Sequence, residues 1–205
     1  MRGKAFHYII LFFAVFCLST SAIFAKLSQA PAEITAFYRL FLVAISLFPT
    51  LFFHQRWKEF KNFTKRQWLL GVASGGLLAI HYVLWFTSLH YTSVASSTVL
   101  VTLQPLFSMV GGFFLFHERY GPKSILGCLI AICGCIIIAW GDFQISPAAL
   151  LGDFMAFAAG AVMSGYFLVG QSVRSSLSVI PYSVLGYGSG ALFLMLFAFI
   201  TGASF

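Results

Sequence analysis

Residues 90–121 read HYTSVASSTVLVTLQPLFSMVGGFFLFHERYG. No charge appears from Tyr91 to Phe116, yet Gln104-Pro105 stands at the centre and His117-Glu118-Arg119 closes the run. About 20 consecutive apolar residues suffice to cross a bilayer as a helix, and this run exceeds that length. A soluble core helix has no use for such a length, and a plain anchor has no use for a central Gln-Pro. The stretch therefore predicts a membrane span with a polar, proline-broken middle.

The rest of the chain agrees. It is 60% hydrophobic, 18% aromatic and 8% charged, with a mean hydropathy of +0.94. Too little charge is present to cover a soluble domain of 205 residues. The net charge of +7 does not point to nucleic acid, because the basic residues fall between apolar runs rather than on one solvated patch. Cys17, Cys128, Cys133 and Cys135 all lie inside apolar runs, at spacings unlike a zinc site or a CxxC pair. They read as small buried hydrophobes, and no metal or cofactor is expected.

Seven spans are predicted, at 6–26, 32–53, 68–89, 92–116, 122–140, 150–170 and 180–201. All must be helical, since backbone groups find no water in the hydrocarbon. Pro31, Pro122, Pro147 and Pro181 stand near span starts, where a missing N–H costs little. Alternating the loops puts Arg2, Lys4, Arg56, Lys58, Lys61, Lys65, Arg66, Arg119, Lys123 and Arg174 on one side. Lys26 alone falls on the other, with Glu33, Asp142 and Asp153. By the positive-inside rule the N-terminus is cytoplasmic, with Trp68 and Trp140 as interfacial anchors. The opening MRGK and the apolar run to STSA have the outline of a signal peptide, but the run continues to Ala25 and reads as a span.

An internal repeat organises these spans. The segment from Ser19 and the segment from Met163 share a span of small and aromatic residues, a polar link, and a Leu/Phe-rich helix opening near proline. Five spans precede the second copy, an odd number, so that copy enters from the opposite side. This is the inverted-topology plan of many secondary transporters. It divides the chain into a first five-helix unit, 6–140, and the start of a second, 149–205. Completing the second unit requires further spans beyond Phe205, and the chain is expected to be part of a longer carrier.

Several side chains stand out against this background. Ser93, Ser97, Gln104, Ser108 and Gly111 recur at helical spacing on the fourth span, and Pro105 frees a backbone carbonyl at depth. Such backbone is tolerated where it is buried in protein or lines a cavity; serine and glycine equally serve close helix packing. The third span carries a matching stripe of Ser74, His81, Trp85 and Ser88. His81 either meets substrate or bonds a neighbouring helix, and Trp85 offers aromatic surface with a polar edge. Arg39 sits about two turns, roughly 10 Å, into the second span. An arginine at that depth is a functional-site hypothesis by default, through a bidentate grip on a carboxylate or phosphate, or it holds helices together on backbone carbonyls or Glu33. Glu118, badly placed against the helix dipole, calls for a compensating contact with Arg119 or Lys123 and reads as a gate or latch. No Asp or Glu is expected deep within any span. Gly71/Gly75, Gly186/Gly190 and Gly127/Ala131 have GxxxG-type spacing, a packing device that also permits self-association.

These residues together resemble the EamA family of the drug/metabolite transporter superfamily. The resemblance lies in SLHYTSVASSTVLVTLQPLFSMVGGFFLFHERYG followed by GCLIAICGCIII. The family's turn before the fourth span, its proline, its inner glutamate and its fifth-span glycines fall on Tyr91-Thr92-Ser93, Pro105, Glu118 and Gly127/Gly134. Lys26 of FAK and Arg39 of FYRL also fit. The resemblance implies ten spans in two inverted halves and transport of small organic metabolites, amino acids or related compounds among them, by alternating access. Its partners are then a small-molecule substrate and the lipid bilayer of the cell membrane. A seven-span receptor or sensor is the alternative, weakened by a cytoplasmic N-terminus and the lack of a lysine in the seventh span. An enzyme is disfavoured: GYGSGA at 186–191 lacks the rhomboid spacing, and neither HExxH nor an aspartate pair is present.

Overall fold

The computed structural model describes residues 2–28, 30–53, 55–173 and 177–203. Arg174, one of the basic residues of the charge asymmetry, lies outside them, as do residues 204 and 205. The chain is a polytopic all-α membrane protein: among the described residues there is no strand. Its helices are α1 (Arg2–Ser28), α2 (Ala32–Phe53), α3 (Lys65–Tyr91), α4 (Val94–Val101), α5 (Gln104–Phe116), α6 (Pro122–Ile145), α7 (Pro147–Val173) and α8 (Val179–Thr201). A short 3-10 helix, Arg56–Asn62, links α2 to α3. Among the described residues six stretches are long and apolar enough to span, α4 and α5 counting together as one. The expected fifth span, 122–140, lies in α6, where the described apolar stretch is Pro122–Ile137.

Local chemistry sets the boundaries. Pro122 and Pro147 are the first residues of their helices, where no partner for their missing N–H is needed. Thr64 opens α3 with a reciprocal capping box: its hydroxyl accepts from the Gln67 amide at 3.2 Å, and the Gln67 side chain accepts from the Thr64 amide at 2.7 Å. Thr92 ends α3 in an extended conformation, and Ser93 caps α4 by accepting from the Ser96 amide at 3.0 Å. The tight turn expected at Tyr91–Ser93 is thus built from two caps back to back.

Packing turns the usual soluble pattern outward. Phe12, Phe114, Ile137 and Ile200 are exposed, as befits surfaces that meet acyl chains. The interior belongs to α3, which packs against α7 and α8, with α2 alongside α8. Lipid is as apolar as leucine, so burial alone does not drive these helices together; close backbone approach and polar contacts do. The two GxxxG pairs supply that approach within the chain. A Cβ at Gly75 would stand 2.6 Å from the Gly186 carbonyl oxygen and 2.7 Å from the Gly190 amide nitrogen. The expectation that these faces serve self-association is therefore corrected: α3 and α8 consume them on each other. Only the looser Gly127/Ala131 pair stays open, with nothing within 4 Å of a Cβ at Gly127.

Candidate functional site

Arg39 lies at the centre of the most unusual side-chain grouping. Its guanidinium carbon stands 5.1 Å from the Tyr82 ring centroid and 5.6 Å from that of Trp85, both on α3. Its Nη1 donates to the Ser21 hydroxyl on α1. Aromatic faces and the hydroxyls of Ser21 and Tyr82, rather than a carboxylate, thus surround the half-buried cation. Glu33, one of the partners considered for it, instead accepts from the Thr201 hydroxyl at 3.2 Å. A cleft of about 440 Å³ reaches Arg39 between α1 and α2, with Ser21, Thr35, Tyr38 and Phe86 in its walls.

The aromatic surround continues inward. His81 stacks on Trp85 at 5.9 Å between centroids and meets Tyr82 edge-on at 4.8 Å. Its Nδ1 is 2.9 Å from the Ala159 carbonyl on α7. A carbonyl only accepts, so Nδ1 carries the proton and His81 ties α3 to α7. Trp85 is 6% exposed, and its indole N–H is buried with no hydrogen-bond partner among the described residues. That makes it a donor in need of an acceptor. Tyr166 on α7 stacks on Tyr182 of α8 at 6.2 Å. Near that pair a hollow of about 590 Å³ opens between the two helices, lined in part by Gly170, Gln171 and Ser183.

The fourth span is broken as its sequence requires, over Thr102-Leu103, with Pro105 in the first turn of α5. The structure puts the break's polar backbone against α7. Ser164 donates to the Gln104 carbonyl at 2.5 Å, and a Cβ at Gly160 would lie 3.0 Å from the Val101 carbonyl oxygen. Ser97 is buried and shares a 2.6 Å hydrogen bond with Ser88 on α3. Ser97 and Gln104 therefore bond the helices around them, and neither meets Arg39, His81 and Trp85, which the structure brings together.

Glu118 follows a left-handed helix end at His117 (φ 54°), with its amide on the Gly112 carbonyl at 3.2 Å. The charge partners expected of it, Arg119 or Lys123, are replaced by neutral donors. The Tyr120 hydroxyl donates to Oε2 at 2.5 Å and Gln171 Nε2 of α7 donates to Oε1 at 2.8 Å. These bonds, Tyr120's first and then Gln171's, hold the carboxyl below its usual range, and Glu118 in turn raises the Tyr120 phenol. Arg119 is exposed beside the α5–α6 turn. At the same end Arg56 donates to the Ser178 hydroxyl at 2.5 Å, and Ser178 donates to Glu59 at 3.0 Å.

Asp153, grouped by sequence with Lys26 and Glu33 on one side of the membrane, is 3% exposed near the start of α7, beside the α3–α4 turn. The Thr92 hydroxyl donates to its Oδ1 at 2.8 Å, while Lys26 Nζ donates to the Thr92 carbonyl at 3.0 Å. Gly152 makes this possible, since a Cβ there would stand 2.8 Å from the Thr92 amide nitrogen.

Comparison with known proteins adds the lineage. The model of the EamA-like transporter family matches residues 5–140. The chain is 25% identical over 204 residues to the uncharacterized transporter YetK of Bacillus subtilis, covering 97% of this chain and 61% of that protein. It is 31% identical over 103 residues to the uncharacterized inner membrane transporter YhbE of Escherichia coli, 49% of this chain and 32% of that one. With the aromatic amino acid exporter YddG of Ancylobacter novellus it shares 28% identity over 102 residues, 48% and 34% of the two chains. The chain thus spans less than two thirds of the length of each. No solved structure matches it.

Proposed function

The chain belongs to the EamA-like transporter family, and on that premise we propose that it acts in a secondary carrier that moves small organic metabolites outward by alternating access. Amino acids and related compounds are the cargo we assign, aromatic ones first. In this reading residues 6–140 form the first unit, 149–205 begin its inverted counterpart, and the N-terminus is cytoplasmic, as the basic loops require. Glu118 and Gln171 then latch α5 to α7 on the cytoplasmic side, with Arg119 beside them.

One observation carries the reading. Arg39 is a half-buried cation held on aromatic faces, next to a buried indole N–H with no acceptor among the described residues. Both groups only donate. A carboxylate answers both, and an aromatic side chain finds Tyr82, Trp85 and Phe86 beside it. Structural serines and glycines explain the fourth span without substrate, so Ser97, Gln104 and Pro105 enter the proposal as the frame of the path rather than as its contacts. His81 sets the Trp85 ring by stacking on it.

The test is counterflow of labelled phenylalanine, tryptophan and leucine in proteoliposomes made with the purified protein. Saturable exchange is expected, reduced at least tenfold in Arg39→Ala and severalfold in Trp85→Phe. No exchange above empty liposomes, or an unaltered rate in a folded Arg39→Ala protein, rejects the assignment.

A further inference from the structure

A groove of about 520 Å³ runs between α5 and α6 on the outside of the bundle. Val110, Phe113, Phe114 and Ile125 are among its walls, and Arg119 stands at the end nearest the α5–α6 turn. Its other end closes where the Cys128 thiol meets the Met109 sulfur at 3.3 Å. We propose that this groove seats an acyl chain of an anionic phospholipid whose phosphate is held by Arg119.

The groove exists because the two helices part after their turn. α6 packs chiefly on α7 and α4, and a Cβ at Gly121 or Gly127 would find nothing within 4 Å. Phe113, Phe114 and Ile125 stay more than half exposed, on a face that meets the bilayer. From Met109 to Phe116 α5 rises roughly 10 Å, so the groove leads from the hydrocarbon towards the headgroups. An acyl chain matches such walls, as it does any apolar groove open to lipid. Arg119 adds the selection. The acid beside it, Glu118, is held instead by Tyr120 and by Gln171 of α7. Among the described residues Arg119 forms no hydrogen bond or ion pair. Lys123 is exposed in the first turn of α6, where the helix dipole adds positive potential. A guanidinium fork fits a phosphate through two parallel hydrogen bonds. The matching ligand is therefore apolar along its length and anionic at one end, as basic pockets between spans select. A choline headgroup would bring its own cation against Arg119 and Lys123, which disfavours a zwitterionic lipid. The groove shares no residue with the Arg39 grouping, so this site stands whether or not the carrier assignment does.

Binding, not transport, is the readout. The purified chain in detergent is titrated with phosphatidylglycerol and with phosphatidylcholine of the same acyl chains, and native mass spectrometry counts the bound lipid. Phosphatidylglycerol is expected to bind saturably and about fivefold tighter, the factor of one arginine at a membrane surface. Arg119→Ala should abolish that preference and leave phosphatidylcholine binding as it was. Arg66→Ala, which deletes an equal exposed charge at the start of α3, should keep it. Val110→Trp should weaken lipid binding by filling the groove, and glycerol phosphate, a headgroup without chains, should not displace the lipid. Equal affinity for the two lipids, an unchanged preference in Arg119→Ala, an equal loss in Arg66→Ala, or displacement by glycerol phosphate overturns the proposal. A dimer of the chain with no lipid bound does the same, since a second copy then covers the groove. Should Val110→Trp fail to fold, the contrast between Arg119→Ala and Arg66→Ala decides it.

Discussion

Adding one methyl group at Gly75 should loosen the whole interior, whereas the same methyl at Gly127 should do nothing harmful. At Gly75 the new Cβ meets main chain on the facing helix, 2.6 Å from the Gly186 oxygen and 2.7 Å from the Gly190 nitrogen, and also the Ser189 hydroxyl. Ordinary contacts begin near 3.4 Å, and a backbone atom cannot rotate away as a side-chain tip does. α3 and α8 must therefore part by several tenths of an ångström along a seam that also buries Leu40, Leu78 and Leu194. Overpacking of this kind costs about 1–3 kcal/mol, and the lost dispersion along the seam sets the upper end. Gly75→Ala recovers less than about 1 kcal/mol of helix propensity in return. At Gly127 nothing lies within 4 Å, so only the propensity gain remains. Denaturant or thermal unfolding in one detergent should therefore order the proteins Gly127→Ala, native, Gly75→Ala from most to least stable. Equal stabilities, or a Gly127→Ala protein that falls apart while Gly75→Ala stands, would refute the α3–α8 seam and return the GxxxG faces to contacts between chains.

Three further outcomes follow from single contacts. Ser164→Ala should destabilise by about 1–2 kcal/mol, because the Gln104 carbonyl at the helix break then loses a buried donor; unfolding of a Ser164→Cys control separates volume from hydrogen bonding. The Glu118 latch should be insensitive to pH across the neutral range. Its carboxyl is held below the ordinary value by Tyr120 and Gln171, so the stabilisation is present above the unfolded value and is lost only as pH falls through the lowered one. A carbon-13 titration of the Glu118 carboxyl checks this, and Gln171→Leu should move its midpoint upward. In the carrier assay Arg39→Lys should recover only part of the Arg39→Ala loss, since an ammonium keeps the charge but not the planar fork; full recovery would reduce Arg39 to a point charge.

The spans, their order and the break in the fourth were legible because each rests on a local rule: length of apolar run, proline at helix starts, Gln104-Pro105 at depth. α2 runs from Ala32 to Phe53, as the pattern from Pro31 onward required. Partners across helices were not legible. Nothing at Glu118 announces Gln171, 53 residues later, and the dipole argument correctly demanded compensation but supplied a cation by default. The stripe from Ser97 to Gly111, read as one face of the fourth span, is divided between α4 and α5, and periodicity does not say whether the facing surface is water, substrate or another helix. Here Ser88 and Ser164 face it. The burial of Asp153 was illegible for a related reason: only the packing of Gly152 on the Thr92 turn makes it an interior residue.

Arg39 and Asp153 show why that distinction matters for function. Opposite charges inside one bundle would, if paired, cancel and serve as a structural bolt, at a desolvation cost that a hydrophobic pair avoids. Here the two lie in different groupings. Arg39 is cushioned by Tyr82, Trp85 and the Ser21 hydroxyl, and Asp153 is steadied by Thr92. Each arrangement offsets part of the cost of placing a charge among helices. Glycine contacts and neutral hydrogen bonds add the cohesion that lipid, as apolar as leucine, does not supply.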